Sequence, residues 1–248
     1  MYENIEMPDE GIIKESIMTM MNKEGIMNNV MPVMVGSNDE SLKSVPTDSS
    51  RTVGMKDVTA IPVLLVNGPE GGSAKVVINT GIMEACGITR KELFGAAYKN
   101  LDSKPAVIRN MFDLERVFTE PGGFDALDRL SVDDLTDDEF QMYFVTNDSN
   151  FFGAMSIFGN DMVRKIGEKL GDYYIIPSSK HEMIILKKNG ETEAADVKDM
   201  IRQINDSVVD EKDVLSYELY QYDAETGKVI TCEAENEADR IRDPGAER

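Results

Sequence analysis

Apolar positions along this chain change their period several times, and each change marks an expected element. Residues 58–67 are β-branched and apolar almost throughout, which predicts a strand. Pro62 inside that run argues for an edge position or a bulge, because proline cannot donate to a ladder. The glycine-rich loop 68–73 turns the chain into a second strand at 74–79. Thr80 is placed to cap a short helix over 81–86, with Gly87 at its far end. Thr89 and Glu92 have the spacing of a capping box, and Leu93, Ala96, Ala97 and Leu101 then recur at helical intervals. Between Pro105 and Glu139 the pattern predicts helical pieces, broken at Pro121-Gly122-Gly123.

Downstream the signals sharpen. Residues 141–146 alternate and are aromatic-rich, and 151–158 read as a second strand after a turn at 147–150. Asn160 or Asp161 is placed to cap a helix whose Met162, Val163, Ile166 and Leu170 share a face, closed by Gly171. Residues 173–176 predict a strand stopped by Pro177, and 183–186 its antiparallel neighbour, ended by Asn189-Gly190. A helix is expected over 192–204, with Val197, Met200, Ile201 and Ile204 inward, then a strand ending at 220–222 and a hairpin turn at 225–228. Strands joined by short turns imply antiparallel pairing. The fold class is therefore α+β: a mixed, mostly antiparallel sheet with helices packed on its faces.

Upstream of these elements, half of the sixteen methionines fall within the first 34 residues. A helix is expected over 10–23, and the Ser-, Thr-, Asp- and Pro-rich stretch 36–54 reads as a linker. The division expected is a Met-rich lead-in and polar linker at 1–56, an α+β domain at 57–231 and a charged tail at 232–248. The methionines serve either as core filler or as an adaptable partner surface. The first 50 residues are expected to be dispensable for folding.

Charge and cysteine content narrow the setting. The formal charge is −20, and residues 113–139 (ten acids, two bases) with 191–248 (seventeen acids, seven bases) carry most of it. Such a field repels phosphate backbones and anionic lipid, so direct nucleic-acid binding and membrane attachment are not expected. An acidic surface could instead act as a decoy of nucleic acid toward a DNA-binding partner. No apolar run approaches the roughly 18–20 residues of a membrane helix, and the opening residues are acidic where a secretory signal is basic. Cys86 and Cys232 are far apart and suit a reducing cytoplasm, with a bridge between them left open.

A set of short segments resembles a known group of proteins. These are Asn79-Thr80-Gly81-Ile82-Met83, Gly87-Ile88-Thr89 with Glu92-Leu93, Phe144-Val145-Thr146-Asn147, Phe152-Gly153-Ala154, residues 166–171, and Ile175-Ile176-Pro177-Ser178-Ser179-Lys180-His181-Glu182. Together, over about residues 55–230, they resemble an uncharacterised family of bacterial proteins frequent in gut Firmicutes. The Ile-Pro-Ser-Ser-x-His-Glu segment is the specific part. The resemblance implies a shared fold and no known activity or catalytic residue.

Most chemistries lack their parts. One histidine and two distant cysteines offer no zinc spacing. Asp133-Asp134 and Asp137-Asp138-Glu139 lack the alternating ligands and central glycine of a calcium loop. The 68–73 loop is followed by no Gly-Lys-Ser/Thr and opens no helix, so it is no phosphate cradle. No cofactor is expected. One constellation remains: Ser178, Ser179, His181 and Glu182 around a strand-stopping proline, with Asn147 as a loop neighbour. Serine and histidine could act as nucleophile and base. Adjacent strand residues point to opposite faces, however, so His181 and Glu182 are expected to diverge, and no Gly-x-Ser-x-Gly elbow is present. In the alternative, a serine caps backbone amides and His181 bonds a neighbouring loop. The function expected is that of a non-enzymatic cytoplasmic binding or interaction protein with an unknown protein partner. A ligand-processing or hydrolase-like enzyme centred on Ser179 and His181 is the alternative.

Overall fold

The computed structural model describes residues 17–37, 40–67, 73–111, 128–136, 142–189, 193–207 and 209–232. The small sheet has the order β1-β2-β3, with β1 at Val30–Gly36, β2 at Val58–Asn67 and β3 at Ser73–Val77. β2 is its central strand, against the edge position that Pro62 suggested. Pro62 is tolerated there because it faces Pro32 of β1, and the ladder to β3 begins one residue later, with Val63 opposite Val77. The missing N–H thus falls just outside that ladder. β1 itself lies within the stretch read as a lead-in. Its Met-Pro-Val-Met run carries weak strand preference, so the pattern does not announce it, yet Val30 through Val35 are buried.

A short helix α1 at Lys23–Asn29 precedes β1, capped by the Asn22 side chain, which accepts from Gly25 N. Of the helix expected over 10–23, residues 10–16 lie outside the described residues, and 17–20 are helical. Helix α2 runs Thr80–Cys86, and its N-cap is Asn79 rather than Thr80: the Asn79 side chain accepts from Ile82 N at 2.9 Å. Helix α3 at Arg90–Asp102 opens with the expected capping box and buries Leu93, Ala97 and Leu101, together with Phe94 and Tyr98. Helices were expected between 105 and 139. The described part holds instead a strand, β4 at Val107–Asn110, and a 3-10 turn at Val132–Asp134; the break at 121–123 lies outside the described residues. Four residues, two of them polar, are too few to display a period of two.

The large sheet has the order β4-β5-β7-β6-β8-β9, every pair antiparallel, with β5 at Met142–Thr146, β6 at Tyr173–Ile176, β7 at Met183–Lys187, β8 at Tyr220–Asp223 and β9 at Lys228–Thr231. The strand expected at 151–158 is absent. Asn150 and Phe152 take left-handed φ angles of 52° and 53°, and Ala154–Phe158 coil into a buried 3-10 turn. Helix α4 at Met162–Leu170 buries Ile166 and Leu170 as expected and ends at Gly171. Asp161 stands at its N-cap with φ 56° and makes no side-chain capping bond, while Asn160 binds Asp102. Gly167 lets α4 close onto the Tyr222 ring, since a Cβ there would lie 2.6 Å from Tyr222 Cδ1. Helix α5 runs Ala194–Ser207 and buries Val197 and Ile201.

Strand alternation divides the large sheet between two cores. Tyr143, Val145, Met183, Ile185, Tyr173, Ile175 and Tyr220 face the small sheet and meet its Met31, Met34, Val58 and Ala60. Tyr174, Ile176, Ile184 and Leu186 face the other way, under Val197 and Ile201 of α5. The Asp57 carboxylate ties the start of β2 to this sheet by accepting from the Ser216 and Tyr220 hydroxyls. α5 covers the centre of its face. Toward β4 and β5 the face carries Arg109, Phe144 and Thr146, and it is there that a cleft opens.

Candidate functional site

The turn at 177–182 is fixed by backbone bonds on both sides. On one side Leu215 N donates to Ser178 O, Ser216 N to Pro177 O, and Lys180 N to Asp213 O at 2.9 Å. On the other, Gly153 N donates to His181 O at 3.0 Å and Ala154 N to Lys180 O, while Thr146 Oγ1 donates to His181 O at 2.7 Å. The fit is close enough to require glycine at 153. A Cβ there would sit 2.6 Å from Asn147 N and 2.8 Å from His181 O, inside van der Waals contact with backbone that cannot yield.

Within this frame Ser179, His181 and Glu182 each have a partner. Ser179 Oγ donates to Glu182 Oε1 at 2.6 Å and accepts from His181 N at 3.0 Å. His181 Nδ1 accepts from Phe152 N at 3.2 Å, so the ring proton belongs on Nε2, which faces Asp213 Oδ2 at 3.5 Å. The Phe151 and Phe152 rings flank the imidazole at 5.4 and 5.3 Å between centroids. Burial raises the Glu182 carboxyl above its ordinary range; the Ser179 bond and His181 oppose the shift, and Asp213 adds to it. On β4, Arg109 is 1% exposed and donates Nη1 to Asn150 Oδ1.

These residues line a cleft of about 400 Å³ shared by Arg109, Phe144, Phe151, Ser179, His181 and Glu182, with Asp210 and Asp213 closing it from the segment after α5. That volume lies within the range of small-molecule pockets. Ser179, His181 and Glu182 come together there. The expected divergence of His181 and Glu182 does not occur, because both precede β7, which begins at Met183, and the alternation of a strand does not yet apply to them. Ser178 is buried and does not line the cleft. Asn147 does not line it either; its Oδ1 accepts from Ser149 N and its Nδ2 donates to Phe151 O, so it shapes the loop that carries Phe151.

Sequence reasoning passed over Arg109, Asn150, Asp210 and Asp213. The one available signal was an arginine in the middle of Val107-Ile108-Arg109-Asn110. The serine–histidine pairing needed for nucleophilic attack is not formed: the Ser179 proton goes to Glu182, and the His181 nitrogen that lacks a proton is held by a backbone N–H. Among the described residues no group of three or more His, Cys, Asp or Glu side chains is arranged to hold a metal. Cys86 and Cys232 are both free thiols, and no described helix is long and apolar enough to cross a membrane.

The fold and cleft define an α+β protein with a polar–aromatic pocket on the helix-covered face of an antiparallel sheet. The chain belongs to a family of unknown function, DUF5688, which matches residues 4–224. That match begins well upstream of residue 55, so the lead-in belongs to the family's extent. No curated protein and no solved structure matches the chain.

Proposed function

We propose that this is a non-enzymatic cytoplasmic binding protein that holds a small molecule in the cleft around His181. The observation that carries the reading is the commitment of Ser179 and His181 to structural bonds. Ser179 orients Glu182, and His181 anchors the loop through Phe152 N while facing Asp213. What remains open to a ligand is a cavity with aromatic walls and oriented acceptors, which suits recognition rather than turnover. Two free thiols fit a reducing compartment, and the acidic chain disfavours nucleic acid as a direct partner.

The hydrolase reading is tested against this one by a fluorophosphonate probe, which labels activated serines. No labelling of Ser179 is expected, and parent and Ser179→Ala protein should hydrolyse simple esters equally slowly. A fragment set followed by amide NMR should perturb Phe144, Phe151 and Glu182 together. Labelling at Ser179, or a fragment set that leaves these three residues unmoved, would sink the proposal.

A further inference from the structure

The charged groups that reach the cleft are unequal. Glu182, Asp210 and Asp213 bring three carboxylates, of which Asp210 is paired to Lys212 at 3.0 Å, against the single guanidinium of Arg109. Arg109 is almost wholly buried and its Nη1 is given to Asn150, so a ligand meets mainly carboxylate, ring and aliphatic surface. Ser179 engages one oxygen of Glu182, which orients the carboxylate and leaves it acceptor capacity. Asp213 lies at the imidazole edge, with Oδ2 3.5 Å from His181 Nε2, close enough to Glu182 for its charge to be felt there. Phe144 and Phe151 supply ring surface in the same cavity.

An anion entering this space would meet the carboxylates of Glu182 and Asp213. An ammonium carries three donors and no acceptor, matches carboxylate oxygens, and is attracted to aromatic faces. Burial already works against the ionised form of Glu182, and a bound cation favours that form again. The net charge of −20 raises the local concentration of cations around the molecule.

We infer that the cleft takes a small organic amine, with its ammonium between Glu182 and Asp213 and an apolar body against Phe144 and Phe151. This rests on the binding reading above and narrows it to one ligand class.

The test uses the full chain and three probes of similar shape: 2-phenylethylamine, 2-phenylethanol and 3-phenylpropanoate, titrated at neutral pH by calorimetry and amide NMR. The amine is expected to bind in the roughly millimolar range open to so small a ligand, with shifts at Phe151 and Glu182. The alcohol should bind at least about tenfold more weakly and the carboxylate more weakly still. Asp213→Asn and Glu182→Gln should each weaken the amine about tenfold and leave the alcohol unchanged; Asp213→Asn keeps the test intact if the other variant folds poorly. Equal or tighter binding of the alcohol or carboxylate, amine binding that survives both variants, or no amine shifts in the cleft would each overturn the inference. In those cases the broader binding reading survives if other fragments still perturb the cleft, and falls if none does.

Discussion

His181 serves as a loop anchor. Its Nδ1 accepts the N–H of Phe152, a residue held at φ 53° that pairs with no strand. His181→Ala leaves that N–H without its acceptor in a half-buried turn and should cost about 1–2 kcal/mol, read by urea denaturation; a variant as stable as the parent would contradict the anchor role. Glu182 gives a pH signature. Its carboxyl is raised by burial above the ordinary 4.5, so the folded state holds the proton more tightly than the unfolded chain. The contribution of this group is fully present below about pH 4.5 and is lost as pH rises through the folded value. Glu182→Gln removes that loss, so its melting temperature relative to the parent should climb from pH 4 toward neutrality. A difference that stays flat across that range would place the carboxyl in water. Gly153→Ala drives a Cβ against Asn147 N and His181 O and should cost about 2–4 kcal/mol by the same denaturation assay.

At the scale of elements, local chemistry sets an end where both partners of the cap are close neighbours in sequence. The Thr89–Glu92 box forms as its spacing predicts: Thr89 N donates to Glu92 Oε2 at 2.8 Å, and Glu92 N to Thr89 Oγ1 at 3.2 Å. Thr89→Ala should cost about 1 kcal/mol in chemical denaturation. The Thr89 bonds, with Lys23, hold the Glu92 carboxyl down at about 2 against an ordinary 4.5. This contribution is present above about pH 4.5 and lost as pH falls through about 2, so the Thr89→Ala deficit should shrink in acid melts. Elements whose identity depends on distant partners were misread. β4 is four residues long and is a strand because Val107 to Asn110 pair with Thr146 to Tyr143. The apolar run at 151–158 is buried without being extended, since Ala154–Phe158 pack as a 3-10 turn inside the main core. An apolar run reports burial, and only its partners report conformation.

For the whole molecule the methionine-rich N-terminal stretch is the deciding part. Met34 is 0% exposed, and Met31 and Met34 sit in the same core as Tyr143, Ile175 and Tyr220 of the large sheet. β1 pairs with β2 from Val30 opposite Leu64 to Gly36 opposite Val58. A chain beginning at Val53 would expose both that β2 edge and the underside of the core. It is expected to be insoluble or to melt without a cooperative transition, the reverse of what the lead-in reading implied. A soluble, cooperatively melting truncation would show that β1 and α1 contribute little.

By itself the sequence determined the α+β class, β5 to β7, the capping box and the turn at 177–182, because each rests on contacts within a few residues or on a period of two or 3.6. Ser179, His181 and Glu182 were legible as a cluster for the same reason: they are neighbours along the chain. Tertiary structure alone brought Arg109, Phe144, Asn150 and Asp213 to that cluster, across separations that no local pattern encodes. It also decided that β1 is a core strand and that Pro62 stands in a central one, since both depend on which strand lies alongside. Ser179 bonds Glu182 within the turn, and His181 bonds Phe152 N across to another loop. The second of these exists because folding carries loop 147–153 across the turn at 177–182.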